Sequence, residues 1–374
     1  MSFQMLALRR PARRETAVGS RAHRCTAMSG SFSAAARLDY QPFETTFAEA
    51  RQAGLFREVG GLYDGAGRLG DRWPVLLGHL AEVGGRNLNL GRLLEGHANA
   101  VQLVRLYGSD VQRARLDEAL ERDHILGVWG ADGSPPAAVE DGAGGAMLAG
   151  SKRYASGLGT VSLALVPIAG EGGGQQLYLV PADEAFRQDV STWRMSGMQE
   201  SASGTFSLEG IVADRATRLG KPGDYRIEPF FEGGIWRCTA VHLGAVEAIV
   251  SLMARQLDGS GRLDHPLQAE RLGHAVMHAR SARLWVEDAA RRVEAPRAGE
   301  AIPQAVAAAS YTRLQVEKDA LAVMELARRA VGLSSFATDH PLGEAIADLS
   351  VYLRQANPDA LLLNKCRMMA EAYL

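Results

Sequence analysis

The chain has 374 residues, 47% of them hydrophobic, and its 41 basic residues against 43 acidic ones give a net charge of -2. That length supports two or three domains with a sizeable core, and the near-neutral balance argues for small substrates over nucleic acid or an acidic polymer. Three cysteines, Cys25, Cys238 and Cys366, show no CxxC spacing, so neither a disulfide framework nor a zinc site is suggested, which fits a reduced cytoplasm. No run of about 18 apolar residues calls for a membrane-spanning helix.

Residues 1–38 carry Arg9, Arg10, Arg13, Arg14, Arg21, Arg24 and Arg37, with Glu15 as the only acid. They lack the apolar core of an export signal and read as a disordered leader, either an organellar address or an over-extended start ahead of Met28. Residues 39–124 form the first helical region. Phe47, Ala50, Ala53, Leu55 and Phe56 fall near helical spacing, Trp73 to Val83 follows a glycine-rich loop, and Leu93 to Tyr107 is apolar around most of its circumference. Gly108-Ser109 ends that segment. Glu95 and His97 within it resemble an acid–base pair, but residues two apart on a helix do not face each other. His97 is read as a core histidine.

Residues 125–229 alternate short apolar runs with turns: ILGVW, AMLAGSKRYASG, VSLALVPIA, QQLYLVPA and GTFSLEGIVA. This predicts a small antiparallel β-domain. Gly157-Leu-Gly159 lacks the third glycine of a dinucleotide fingerprint and precedes a strand-like run, so it is read as a turn. Neither a P-loop nor a GxSxG elbow occurs. Residues 230–374 are helical again, with four candidates at Ala240 to Leu257, Pro266 to Val293, Pro303 to Val331 and Ala345 to Leu374, which predicts a bundle. Glu270, His274 and His278 recur every four residues; a polar stripe opposite Leu272, Ala275, Val276 and Ala279 accounts for them as well as a metal would.

Several local stretches combine within this order of parts. Leu148-Ala-Gly-Ser-Lys152-Arg-Tyr-Ala-Ser156-Gly157 contains a Gly-x-Lys segment, and Gly197-Met198 through Ser203-Gly204, with Phe206 and Glu209-Gly210, forms a strand pair. Ala254-Arg255-Gln256 stands near the end of the bundle's first helix and Pro266-Leu267-Gln268 at the start of its second. Gly332, Phe336, Thr338, Pro341, Asp348 and Tyr352 follow at the spacing of a turn and its helix. Together they resemble the acyl-CoA dehydrogenase family of FAD-dependent enzymes, from about Phe47 to the C-terminus. The resemblance implies an α+β multidomain fold: an N-terminal helical domain, a central antiparallel β-domain and a C-terminal four-helix bundle.

It also implies FAD lying between the β-domain and the bundle, with its pyrophosphate reached by Arg255 from a neighbouring subunit, a task suited to a planar, permanently charged guanidinium. Gln268, Arg329, Gly332, Ser134 and Ser156 stand at further cofactor-binding positions. Leu333 replaces the second glycine of the family's turn, Arg329 replaces a glutamine, and Pro135-Pro136 follow Ser134. The family's reaction is α,β-dehydrogenation of an acyl thioester, in which a glutamate removes the α-proton while hydride leaves for the flavin. Here Ala356 and Gly234 occupy the two positions that can hold that glutamate. Glu232 and Asp359, nearby in sequence, are the candidate substitutes.

Three functions follow as expectations. The first is an acyl thioester dehydrogenase with a displaced base, as a homodimer or homotetramer. The second is an incomplete subunit that pairs with a complete homologue. The third is a flavin-dependent monooxygenase or oxidase on the same scaffold, which needs no α-proton base.

Overall fold

A computed structural model describes residues 39–142, 145–170, 173–337, 339–355 and 357–371. The 1–38 leader with Cys25, and also Thr338 and Ala356, lie outside the described residues. The N-terminal helices are α1 (Phe43–Gln52), α2 (Leu55–Gly61), α3 (Trp73–Arg86), α4 (Leu88–Tyr107) and α5 (Asp110–Glu121). Helix α4 begins five residues before the apolar pattern suggests, because Asn87 is extended and its side chain accepts a hydrogen bond from Leu90 N. Ser109 both follows α4 and opens α5, in a reciprocal cap with Gln112.

The β-domain contains β1 (Ile125–Val128), β2 (Ala138–Gly142), β3 (Gly145–Ala149), β4 (Ser151–Ala155), β5 (Val161–Ala169), β6 (Gln175–Pro181), β7 (Gln188–Asp189), β8 (Gly204–Ser207), β9 (Ile211–Val212) and β10 (Arg218–Leu219). They form three small sheets, ordered β1-β5-β6-β10, β2-β3-β9 and β4-β8-β7. The strand pairs are antiparallel except β1 with β5, where Leu126 pairs with Leu163 and Val128 with Leu165 in parallel. The long excursion through β2 to β4 separates these two strands, and so supplies the crossover that a parallel pair requires and a hairpin cannot. Gly157 and Gly159 sit in a turn with positive φ, not at a helix start.

The bundle is built from α6 (Ile235–Gly259), α7 (Pro266–Glu294) and α8 (Ile302–Val331), followed by α9 (Pro341–Tyr352) and α10 (Pro358–Glu371). The last predicted helix is thus two, divided where Asn357 takes φ 47° ahead of Pro358; proline disfavours the helical region for the residue before it and removes a backbone donor. Helix α6 is long and apolar enough to cross a bilayer, but 78% of its most apolar window is buried within the protein. It packs on α3 so closely that a Cβ at Gly244 would lie 1.8 Å from the Ala81 carbonyl oxygen. His278 turns to Asp319 on α8 at 2.7 Å, while His274 and Glu270 are 4.0 Å apart, so the three do not converge on one point.

One carboxylate ties the domains together. Asp348 on α9 accepts from the Tyr40 hydroxyl at 2.5 Å, from Asn89 Nδ2 on α4 at 2.8 Å and from the backbone N–H of Met198 in the β-domain. Asn89 Oδ1 in turn accepts from Ser201 N at 2.9 Å. Burial raises the Asp348 pKa against the opposing pull of these three hydrogen bonds.

His97 is a core histidine, with Nε2 3.0 Å from the Phe56 carbonyl oxygen and Nδ1 accepting from Leu126 N at 3.1 Å. Burial lowers its pKa from the ordinary 6.5 to about 4. Between those values the unfolded chain binds a proton that the folded chain refuses, so stability present above pH 6.5 is lost as pH falls toward 4, by about 3 kcal/mol for this group. His242 is lowered too, by burial first and by Arg313 second, and acts in the same sense. Denaturant titrations at pH 7 and pH 5 are expected to show this loss, with a shallower pH slope in His97→Gln.

Candidate functional site

A cleft of about 960 Å³ opens where α4, the β-domain and the bundle meet. Its size falls at the upper end for small-molecule and cofactor sites. On the β side, Ser156 at the end of β4 faces a row of hydroxyls: Ser203 Oγ donates to Ser156 Oγ at 3.0 Å, and Ser201 Oγ lies 2.8 Å from Ser203 Oγ. Trp129, buried behind them against Phe206, donates its indole N–H to the Ser156 carbonyl at 3.1 Å and fixes that end of the strand. Tyr154 and Trp193, edge to face at 6.1 Å, form an adjoining wall. Hydroxyls able to donate or accept, beside aromatic planes, suit the polar edge and flat face of a heteroaromatic ring. On these grounds the cleft fits the ring system of a flavin.

The helical side is a polar chain. Arg92 Nη1 donates to Glu95 Oε2 at 2.6 Å, Asn99 Nδ2 donates to the other Glu95 oxygen, and Arg237 Nε donates to Asn99 Oδ1 at 2.6 Å. Arg237 then reaches Glu294 at 3.1 Å, where the Trp236 indole N–H also donates, at 3.0 Å. Burial pushes Glu294 up, with the Arg237 charge opposing it. Next to this chain Tyr352 faces Cys238. The Tyr352 hydroxyl has no oxygen or nitrogen partner among the described residues. Burial holds the phenol well above its ordinary pKa and pushes the Cys238 thiol up to about 12, so both stay protonated at neutral pH.

The expected site residues divide into groups. Ser156 and Glu232 line the cleft. Glu232 Oε2 pairs with Lys365 Nζ of α10 at 2.5 Å. Asp359, in the first turn of α10, is exposed and does not line it, and Ser134 is exposed on the loop after β1. In that loop Asp132 takes the buried Lys152 ammonium at 2.6 Å, which gives the Gly-x-Lys lysine a structural role. Gly234 lines the cleft, but a Cβ there would lie 2.4 Å from Arg237 Nη2, so a guanidinium fills the room a longer side chain would need.

Arg255, Gln268, Arg329 and Gly332 lie outside the cleft lining. Arg255 pairs with Asp39 at 2.6 Å and donates to Ser251 Oγ at 2.8 Å. Gln268 and Arg329 meet at one end of the bundle, where Arg271 Nη1 reaches Gln268 Oε1 at 3.3 Å and the Arg329 carbonyl at 3.4 Å. Gly332 closes α8 at φ 86° and ψ -153°, a conformation essentially restricted to glycine, with open space beside it. Backbone geometry therefore explains its identity without crowding.

Residues 234–353 match the family described as acyl-CoA dehydrogenase, C-terminal domain. Among solved structures, butyryl-CoA dehydrogenase from Megasphaera elsdenii superposes with a TM-score of 0.71 at 14% identity, over 87% of this chain and 93% of that one. The chain has the acyl-CoA dehydrogenase fold, and the family match lies in its C-terminal bundle. FMN-bound TdsC from Paenibacillus sp. A11-2 gives 0.72 at 18% identity, over 87% and 90% of the two chains. The 3-HSA hydroxylase from Rhodococcus sp. RHA1 gives 0.70 at 16%, over 88% and 90%. No curated protein matches the chain in sequence.

The residues that sequence reasoning missed are Arg92, Asn99, Arg237 and Tyr352 as parts of the cleft wall. Arg92 and Glu95 stand three apart on α4, a spacing at which helical neighbours do meet. Arg237 and Glu294 carry no such local signal. Both are almost fully buried, at 3% and 4% side-chain exposure, so Arg237→Ala strands a carboxylate and is expected to cost about 3–5 kcal/mol. Chemical denaturation measures the loss, and Arg237→Ala/Glu294→Ala is expected to recover part of it.

Proposed function

We propose that this protein is a flavin-dependent oxidoreductase of the monooxygenase kind, using reduced flavin and dioxygen instead of removing an α-proton from an acyl thioester. The observation that carries this reading is the condition of the cleft carboxylates. Both Glu95 oxygens are engaged, by Arg92 and Asn99. Glu232 has one oxygen, Oε2, held by Lys365, and Arg237 occupies the room beside Gly234. A general base needs a lone pair directed at the proton it takes. Oxygen insertion needs none at that point: substrate, dioxygen and reduced flavin give hydroxylated substrate, water and oxidised flavin. The structural neighbours TdsC, a dibenzothiophene monooxygenase, and 3-HSA hydroxylase support the reading.

Bound flavin supplies the redox chemistry. The chain's part is to seat the ring on Ser156, Ser201 and Ser203, enclose it with Tyr154 and Trp193, and orient substrate from the α4 and α9 side. FMN is the simpler partner for the cleft alone. FAD, the expectation from the family, would place its adenylate end on the Arg255, Gln268, Arg329 and Gly332 surface of a second copy, which is an argument for a homo-oligomer. The exposed Met277 and Leu284 of α7, seven residues apart and so on one side of the helix, offer apolar surface for such a copy.

A second reading, thioester dehydrogenation with Glu232 as base, draws on one fact: Glu232 reaches the cleft. The two separate in an anaerobic titration of flavin-loaded protein with a panel of acyl-CoAs. We expect no bleaching of the flavin spectrum, together with substrate-stimulated oxygen uptake when reduced flavin is supplied. Bleaching that Glu232→Gln abolishes would overturn the monooxygenase reading, and flavin acquired only in the presence of a complete homologue would point to an accessory subunit. Ser156→Val is expected to weaken flavin binding about tenfold, through loss of one hydroxyl and of the Ser203–Ser156 hydrogen bond that orients it.

A further inference from the structure

The helical end of the cleft carries donors that are not all taken up among the described residues. Glu95 is the sole hydrogen-bond partner of Arg92 among the described residues, and a guanidinium has five N–H groups. The side chain is 13% exposed and lines the cleft, so its remaining donors stay available there. Tyr352 is 2% exposed and also lines the cleft, its hydroxyl directed at the weakly accepting Cys238 sulfur with no oxygen or nitrogen acceptor among the described residues. A buried donor without a strong acceptor costs free energy that a ligand oxygen would return. Arg92 and Tyr352 are close enough for each to affect the other's ionisation.

Two further observations restrict what that oxygen belongs to. The charged side chains of the lining are Arg92, Arg153, Arg237 and Arg354 against Glu95 and Glu232; with Arg92 paired to Glu95, Arg237 to Glu294, Arg354 to Glu317 and Glu232 to Lys365, the excess positive charge that favours an anion is that of Arg153. Tyr225, Phe230 and Phe231 stand at the same cleft, Tyr225 and Phe231 edge to face at 5.0 Å, and offer an apolar, ring-shaped enclosure.

We propose that Arg92 and Tyr352 form a two-donor subsite for an anionic oxygen, and that the cleft takes an aromatic ring bearing a carboxylate or a phenolate. Arg92 is a permanently charged fork that can address such an oxygen without losing its tie to Glu95. Tyr352 remains a hydroxyl donor at neutral pH, since its pKa is held high. The subsite rests on the reading of this cleft as the substrate site and narrows the substrate class.

Calorimetric titration of the full chain, with and without added flavin, tests it using benzoate, 4-nitrophenol at neutral pH, and the uncharged benzamide. Benzoate or 4-nitrophenolate is expected to bind at least about tenfold more tightly than benzamide, the advantage of a charge-assisted bidentate pair. Whichever of the two binds identifies the anion as carboxylate or phenolate. Arg92→Leu is expected to remove that advantage and leave benzamide unchanged, while Tyr352→Phe weakens the anion by a smaller factor. Because Arg92→Leu strands Glu95, Arg92→Leu/Glu95→Leu is measured beside it, with thermal melting to establish that both fold. Equal binding of the anions and benzamide, or an anion preference that survives in the folded double variant, overturns the proposal. These titrations need no turnover: anion binding without oxygen uptake sinks the monooxygenase reading alone, and oxygen uptake driven only by uncharged aromatics sinks the subsite alone.

Discussion

The buried carboxylate of Asp348 is the constraint on which the rest of the structure depends. It lies on α9, yet its hydrogen bonds come from the chain ahead of α1, from α4 and from the backbone before β8. A carboxylate in a low-dielectric setting is tolerated only when its lone pairs are taken up, so the domains must approach in one arrangement to satisfy it. That arrangement leaves the space between α4, the β-domain and α6 as a cleft. The serine row follows directly, since Ser201 is held by Asn89, and Asn89 is held by Asp348.

Within the cleft the two walls have different chemistries. The β wall offers hydroxyls and aromatic planes. The helical wall offers guanidinium groups whose counter-charges are already paired, with a phenol and a thiol that burial keeps protonated. Hydrogen-bond donors therefore outnumber available bases on that side, and the cleft is built to hold electron-rich oxygen in place more readily than to take protons away. Glu232 stands at the mouth, where its pairing with Lys365 also fastens α10 to the segment leading into α6.

Much of the architecture was legible in the sequence because it follows from periodicity. The helical runs, the β-rich middle and the bundle are local patterns, and Ser156 and Glu232, read as a cofactor-binding residue and a candidate base, both line the cleft. The parallel pairing of β1 and β5 was not legible, since strand direction depends on how a long connection returns. The break before Pro358 divides what reads as one helix from Ala345 to Leu374, because periodicity on both sides outweighs the single Asn357-Pro358 step, while the third bundle helix ends at Val331 as expected. Arg255, Gln268, Arg329 and Gly332 were read as one cofactor site. The structure keeps Gln268 and Arg329 together through Arg271 but leaves all four outside the cleft lining. Setting aside Glu95 together with His97 was sound for His97 alone. Glu95 belongs to a pair three residues back, and the long-range half of its chain, Asn99 to Arg237 to Glu294, has no signature in sequence.

The chain of polar groups from Arg92 through Glu95, Asn99 and Arg237 to Glu294 has an evolutionary consequence. Each member is balanced by its neighbour in a poorly solvated place, so a single replacement leaves a charge or an amide stranded. Substrate preference at this wall therefore cannot drift one residue at a time; it must change by paired exchanges across α4, α6 and α7. Relatives with a different helical wall are expected to differ there as a block, and a designer wishing to retune the cleft would have to transplant the block entire.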